Sequence, residues 1–327
     1  MKRRLAGVAI LGVAVWLLVQ VMGSVLGPHV TATIHVGGLP SDAVIDREGN
    51  LWVTDLDGGK LSRIDPATNS VADVVLSVVG GADLWSIAFG EGSMWAGVSG
   101  RLLRIDPGSG KQLAAIPIGV GSVAFGAGAV WVISLGDDPY AGIQTLVRID
   151  PTNNRVVATI PVVCPCSVAA DDSAVWVAGS AGAVGSAPGS AYAMRIDPAT
   201  NRKVAEVDLP PEVNLPEVAV GAGAVWVAYW GFPLNWGALT GHLVRIDPAT
   251  NRVVANIPVR GANGLAVGFD SVWIATGRSV VRVDARSNAV VSEVTMAGGG
   301  VDGVAVSEHT VWAWSDTGSD AVWRIAY

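Results

Sequence analysis

The sequence predicts an all-β chain built from one unit repeated seven times. Three observations carry that reading. First, a Trp between aliphatic residues recurs as Leu51-Trp52-Val53, Met94-Trp95-Ala96, Val130-Trp131-Val132, Val175-Trp176-Val177, Val225-Trp226-Val227, Val272-Trp273-Ile274 and Val311-Trp312-Ala313, at spacings of 36 to 50 residues. Second, Arg-Ile-Asp-Pro follows the Trp at Arg63, Arg104, Arg148, Arg195 and Arg245, and weakens to Arg282-Val283-Asp284-Ala285 and Arg324-Ile325-Ala326. Third, the segments between turns are short and β-branched, and none keeps a helical period.

Taken in order, the first element is an address. Lys2, Arg3 and Arg4 precede an uncharged stretch from Leu5 to Leu26. That length is close to the ~20 residues that span a bilayer, and the preceding positive charge directs the remainder outward. Residues 1–28 read as a signal peptide or an uncleaved signal anchor, which makes the rest extracytoplasmic, either held at the membrane or secreted. The second element, Val30 to Val36, alternates like a strand. Each unit then supplies four strands, here called a to d. Strand a is a short run such as Val218-Ala219-Val220-Gly221, strand b holds the Trp, strand c holds the Arg, and strand d is a run such as Val253 to Val259. The Asp247-Pro248-Ala249-Thr250-Asn251 phrase suits a tight c–d turn: Pro presets φ, Asp accepts backbone N–H groups, and Asn tolerates a left-handed conformation.

Four strands at a period near 40 residues are the mark of a propeller blade. The expected fold is therefore a seven-bladed β-propeller spanning residues 29–327. The seventh unit stops after strand c, so the strand at 30–36 is expected to complete it and remove an exposed sheet edge.

The run Arg245 to Val259 resembles the YVTN or YncE-like propeller repeat, and Asp46 to Asp55 is similar to repeats of the virginiamycin B lyase and NHL-type propellers. The resemblance covers about residues 30 to 327 and implies the fold. It implies no single function, because such repeats serve enzymes, surface proteins and binding modules alike. A lyase of that family would need a His and Glu constellation near the channel, and only His242 is placed to serve as acid or base.

A residue repeated in every blade is read as structural, with each Trp packed between blades under its Arg. Function is sought where the repeat breaks. From Trp to Arg the count is 17, 19 and 19 in blades three to five, against 9 to 12 elsewhere. The insertions fall in b–c loops, which share a face with the d–a connections and the channel mouth. Binding candidates on this face are Asp137, Asp138 and Tyr140 in blade three, Tyr229, Trp230, Phe232 and Trp236 in blade five, and Trp85 and Asn263 on the inner connections. Exposed rings of this kind stack on a sugar or an apolar ligand, or dock a partner protein. Asp42, Glu217 and Asp302 approach the channel mouth and are candidate oxygen ligands for a divalent cation, with solvated carboxylates as the plainer reading. Cys164-Pro165-Cys166 is a candidate tight disulfide in an oxidising compartment.

Composition narrows the function further. A hydrophobic content of 50% excludes a disordered chain, and a net charge of −7 argues against nucleic acid as partner. Two Cys exclude the common four-ligand zinc modules. The sequence holds no nucleophile elbow, phosphate loop or dinucleotide fingerprint, so no resident cofactor is expected. The leading expectation is a non-enzymatic binding module for an envelope glycan, a small molecule or a protein. The alternative is a lyase-like or hydrolase-like enzyme working at the channel mouth.

Overall fold

The computed structural model describes residues 27–56, 58–75, 84–98, 100–135, 143–163, 166–180, 191–210, 213–231, 240–298, 300–308 and 310–327. The apolar segment at 1–26 lies outside these residues. So do the insertions at 136–142, 181–190 and 232–239, which carry Asp137, Asp138, Tyr140, Phe232 and Trp236, and so does Cys164. The side chains of Cys166 and Trp230 also fall outside, although both residues sit in described strands.

The chain opens with β1 (His29–His35). Blade one is β2 (Pro40–Ile45), β3 (Leu51–Asp55), β4 (Lys60–Ile64) and β5 (Val71–Val75). Blade two is β6 (Ser86–Gly90), β7 (Ser93–Val98), β8 (Arg101–Ile105) and β9 (Gln112–Ile116). Blade three is β10 (Val120–Gly126), β11 (Ala129–Ser134), β12 (Ile143–Asp150) and β13 (Arg155–Val163). Blade four is β14 (Cys166–Ala170), β15 (Val175–Ser180), β16 (Ala191–Asp197) and β17 (Arg202–Asp208). Blade five is β18 (Val213–Gly221), β19 (Ala224–Gly231), β20 (Thr240–Asp247) and β21 (Arg252–Pro258). Blade six is β22 (Gly264–Gly268), β23 (Ser271–Ala275), β24 (Ser279–Asp284) and β25 (Ala289–Thr295). Blade seven contains β26 (Gly303–Val306), β27 (Val311–Trp314) and β28 (Ala321–Ala326), and β1 pairs antiparallel with β28, so its order is β1-β28-β27-β26.

All seven sheets are four-stranded antiparallel meanders, and the protein is a seven-bladed β-propeller. Strand a of each blade packs against strand a of the next, and β26 against β2, so the inner strands form a closed ring around the axis.

The core lies between blades. Each of seven hydrophobic clusters contains one of the seven repeated Trp, packed against strands b and c of the following blade; Trp176 of blade four, for example, meets Val225, Val227 and Val244 of blade five. All seven of these Trp are essentially fully buried. Close approach at the inner ring also explains a glycine. A Cβ on Gly126 would lie 2.6 Å from Ala170 Cβ and 2.7 Å from its carbonyl carbon, so only glycine lets β10 and β14 meet.

The repeated Arg joins blades in two ways. Every strand-b Trp pairs across the sheet with its strand-c Arg, and the guanidinium lies 5.1 to 5.9 Å from the indole centroid. Arg148 Nη1 then donates to Pro198 O (2.6 Å) and Asn201 Oδ1 (2.9 Å) in the c–d turn of the next blade. Arg104, Arg195 and Arg245 make the same pair of bonds to their own following turns. The Asn accepting these bonds is left-handed, with φ of 56° at Asn201.

Candidate functional site: the mouth of the axial channel

The innermost strands carry a second interblade device. Asp42 Oδ2 accepts a bond from Ile87 N at 2.9 Å. Ser86 Oγ accepts from Val123 N (3.2 Å), Ser122 Oγ from Val168 N (3.3 Å), and Ser167 Oγ from Val218 N (3.2 Å). Glu217 accepts from Leu265 N in the same way. One position of strand a thus latches five of the seven blades to the backbone of the next. The β2, β10 and β18 registers shift beside Asp42, Ser122 and Glu217. Bulges of this kind turn a side chain away from the regular pleat. At the two remaining positions stand Gly264 and Gly303. A Cβ on Gly264 would lie 2.8 Å from Asp302 O, so backbones touch there without a side chain between them.

A serine suffices for the latch. A carboxylate brings an additional oxygen and a charge, and blades one and five have one. Asp42 and Glu217 face a cavity of about 520 Å³ on the axis, whose wall also includes Trp85, Leu265, Asp302 and Trp314. Among the described residues lining it there is no Lys, Arg or His. Enclosure by the blades raises the Asp42 carboxyl to about 6, against the pull of its bonds from Ile87, Ala43 and Ser86. Glu217 is exposed to the lumen yet surrounded by the ring. Desolvation pushes it up to about 8, the nearby Asp42 charge adds to the rise, and the Leu265 N–H opposes it. Near neutral pH Asp42 is therefore mostly ionised while Glu217 keeps its proton.

The other candidates separate. Trp85 sits on the connection into β6, lines the cavity and is 53% exposed. Asp302 Oδ2 accepts from Asp316 N (3.0 Å), Thr317 Oγ1 (3.2 Å) and Ser315 Oγ (3.3 Å), which builds the b–c turn of blade seven. Burial and Asp302 together raise Asp316 to about 6. Asn263 Nδ2 reaches Asp302 Oδ1 at 3.4 Å. Asp42, Glu217 and Asp302 share the cavity, but the described residues hold no cluster of three or more His, Cys, Asp or Glu arranged to bind a metal ion. Five of the six carboxylate oxygens in that trio accept the bonds just described, or the Ala43 N–H at 2.8 Å on Asp42 Oδ1.

Two expectations are corrected. Tyr229 is not on a loop: it lies within β19, is fully buried, and belongs to the core between blades four and five. His242 is in β20, in the third strand from the axis. Its ring stacks on Tyr229 at 5.5 Å and its Nδ1 is 2.8 Å from Asn256 Oδ1 on β21, so it does not line the mouth. Among the described residues no carboxylate pairs with it. Trp230 follows in β19, opposite Gly241. Sequence reasoning also missed the latching role of Ser86, Ser122 and Ser167. Their signal was one small polar residue at the same place in successive blades.

Fold and cavity together define a class, a seven-bladed propeller with an acidic, tryptophan-rimmed axial cavity. Two solved structures share the architecture. Hydrazine synthase of Kuenenia stuttgartiensis superposes with a TM-score of 0.74 at 15% identity, covering 88% of this chain and 95% of that one. Virginiamycin B lyase from Staphylococcus aureus superposes with a TM-score of 0.67 at 14% identity, covering 90% of this chain and 98% of that one. No family model matches the sequence, and no curated protein matches it. At these identities the likeness is one of fold, and the chemistry has to be read from the residues.

Proposed function

We propose that the protein is an extracytoplasmic binding module that captures a small molecule or an envelope glycan at the channel mouth, on the face bearing the b–c insertions of blades three to five. The observation that carries this reading is the cavity itself: about 520 Å³ with a half-exposed Trp85 on its rim, on a rigid ring. Ligand sites are concave, and a large exposed indole in a concave wall is costly to leave facing water unless something covers it. In this reading residues 1–28 hold the domain at the membrane or route it outward, and β1 acts as the clasp that locks the ring. The lyase-like alternative relied on His242, and the position of that ring in strand c takes its acid or base away from the mouth.

The test is a thermal-shift screen of the purified full-length chain against soluble envelope glycan fragments, repeated with Trp85→Ala. A ligand at 100 times its Kd stabilises by about 2.7 kcal/mol, a clear rise in Tm. We expect at least one fragment to raise Tm in the native protein and not in Trp85→Ala, with the unliganded Tm of the two within a degree or two. A fragment that stabilises both equally binds elsewhere and contradicts the proposal.

A further inference from the structure

The mouth, read as a ligand site above, also carries a statement about charge. We propose that its ligand is an organic ammonium ion that also bears a hydroxyl group. Three carboxylates, Asp42, Glu217 and Asp302, line the cavity, and no basic described residue faces them. Other carboxylates in this protein sit beside cations, as Asp73 does beside Lys60 and Asp270 beside Arg286. The lumen carboxylates have no such neighbour. Glu217 is held up near 8 by its surroundings and by Asp42, so a cation in the lumen would favour the ionised form that the empty site resists. A hydrated metal ion needs several free oxygens in one shell, and most of these oxygens are committed to backbone and hydroxyl bonds. A diffuse ammonium needs only a negative field and an aromatic face. Trp85 supplies that face at the same rim, 53% exposed.

A second observation concerns Trp314. It lines the cavity, is 4% exposed, and lies so close to the wall backbone that a Cβ on Gly303 would fall 2.1 Å from its ring. Its Nε1 is buried without a hydrogen-bond acceptor. A buried indole N–H normally has one. The N–H is closed off in the empty site, so a ligand oxygen seated against this wall would meet it as the indole turns toward the cavity, which is why the proposed ligand carries a hydroxyl beside its ammonium.

Three probes of nearly one shape separate the terms. Choline has both groups, 3,3-dimethyl-1-butanol is its neutral isostere, and propyltrimethylammonium replaces the hydroxyl by methyl. Each is titrated into the full-length chain by calorimetry, with native protein, Trp85→Ala and Glu217→Gln. We expect choline to saturate one site, the neutral isostere to bind at least about tenfold more weakly, and each variant to lose about five- to tenfold in choline affinity. Propyltrimethylammonium should fall between the other two probes. Equal affinity for choline and its neutral isostere overturns the cation assignment. If that shared affinity still drops in Trp85→Ala, the mouth remains a ligand site of another chemistry. Equal affinity for choline and propyltrimethylammonium overturns the hydroxyl. No saturation by any probe overturns the ammonium proposal, while the glycan screen judges the mouth independently.

Discussion

At the residue scale, one strand-a position carries two kinds of chemistry. Ser86, Ser122 and Ser167 latch neighbouring blades with a neutral oxygen, whereas Asp42 and Glu217 do so with a carboxyl that is hard to ionise. This has a measurable sign. The Glu217 carboxyl moves from its ordinary 4.5 to about 8 in the folded chain, so the folded state holds the proton more tightly than the unfolded one. Its contribution to stability is fullest below about pH 4.5 and is lost as pH rises through 8; Asp42 acts in the same direction between 3.8 and about 6. Glu217→Gln keeps the size and removes the titration. Its Tm should therefore gain on that of the native protein steadily from pH 5 to 9. Parallel Tm curves over that range would show that Glu217 ionises in the fold as it does in water. The Trp and Arg roles were legible in the sequence because they recur. The place of Asp42 and Glu217 at the channel mouth was also legible; the latching bonds of the serines and of these two carboxylates were not, since they depend on which backbone N–H of the next blade lies opposite.

At the element scale, the turns and β1 show how blades are held together. In blade six, Arg282 has no c–d turn of blade seven to reach, because β28 and β1 are joined only by hydrogen bonds. Tyr327 occupies that place: its Oη lies 3.1 Å from Arg282 Nη2, the guanidinium stands 4.3 Å over its ring, and Phe269 stacks on it at 4.6 Å. On β1, Ile34 is 6% exposed and enters the cluster between blades seven and one, while Thr33 faces solvent. If β1 is the clasp, Ile34→Ala should cost about 2–4 kcal/mol in urea unfolding, whereas Thr33→Ala should stay within about 0.5 kcal/mol. Equal small costs would mean that the ring holds without β1. The strands at 30–36 and in each blade were readable from alternation and turn residues. The ends of β19 and β20 were not: the 19 residues from Trp226 to Arg245 read as a long loop, but both strands run on, Tyr229 to Gly231 pairing with Thr240 to His242. That extension turned a supposed contact residue into core.

At the scale of the whole molecule, thirteen Trp divide by role. Seven fill the spaces between blades and fix the ring. A ring so held has an axial space by construction, and the residues that differ from blade to blade give that space its character: carboxylates in blades one and five, glycine in six and seven, and Trp85 at the entry to blade two. The repeat thus revealed the architecture, and the departures from it marked the site. The most direct test is a crystal structure of the protein soaked in choline chloride. The account predicts ligand density in the channel mouth, with the trimethylammonium group between the Trp85 indole and the Glu217 carboxylate. Choline bound only on the outer strands, or a mouth filled by water alone, would contradict it.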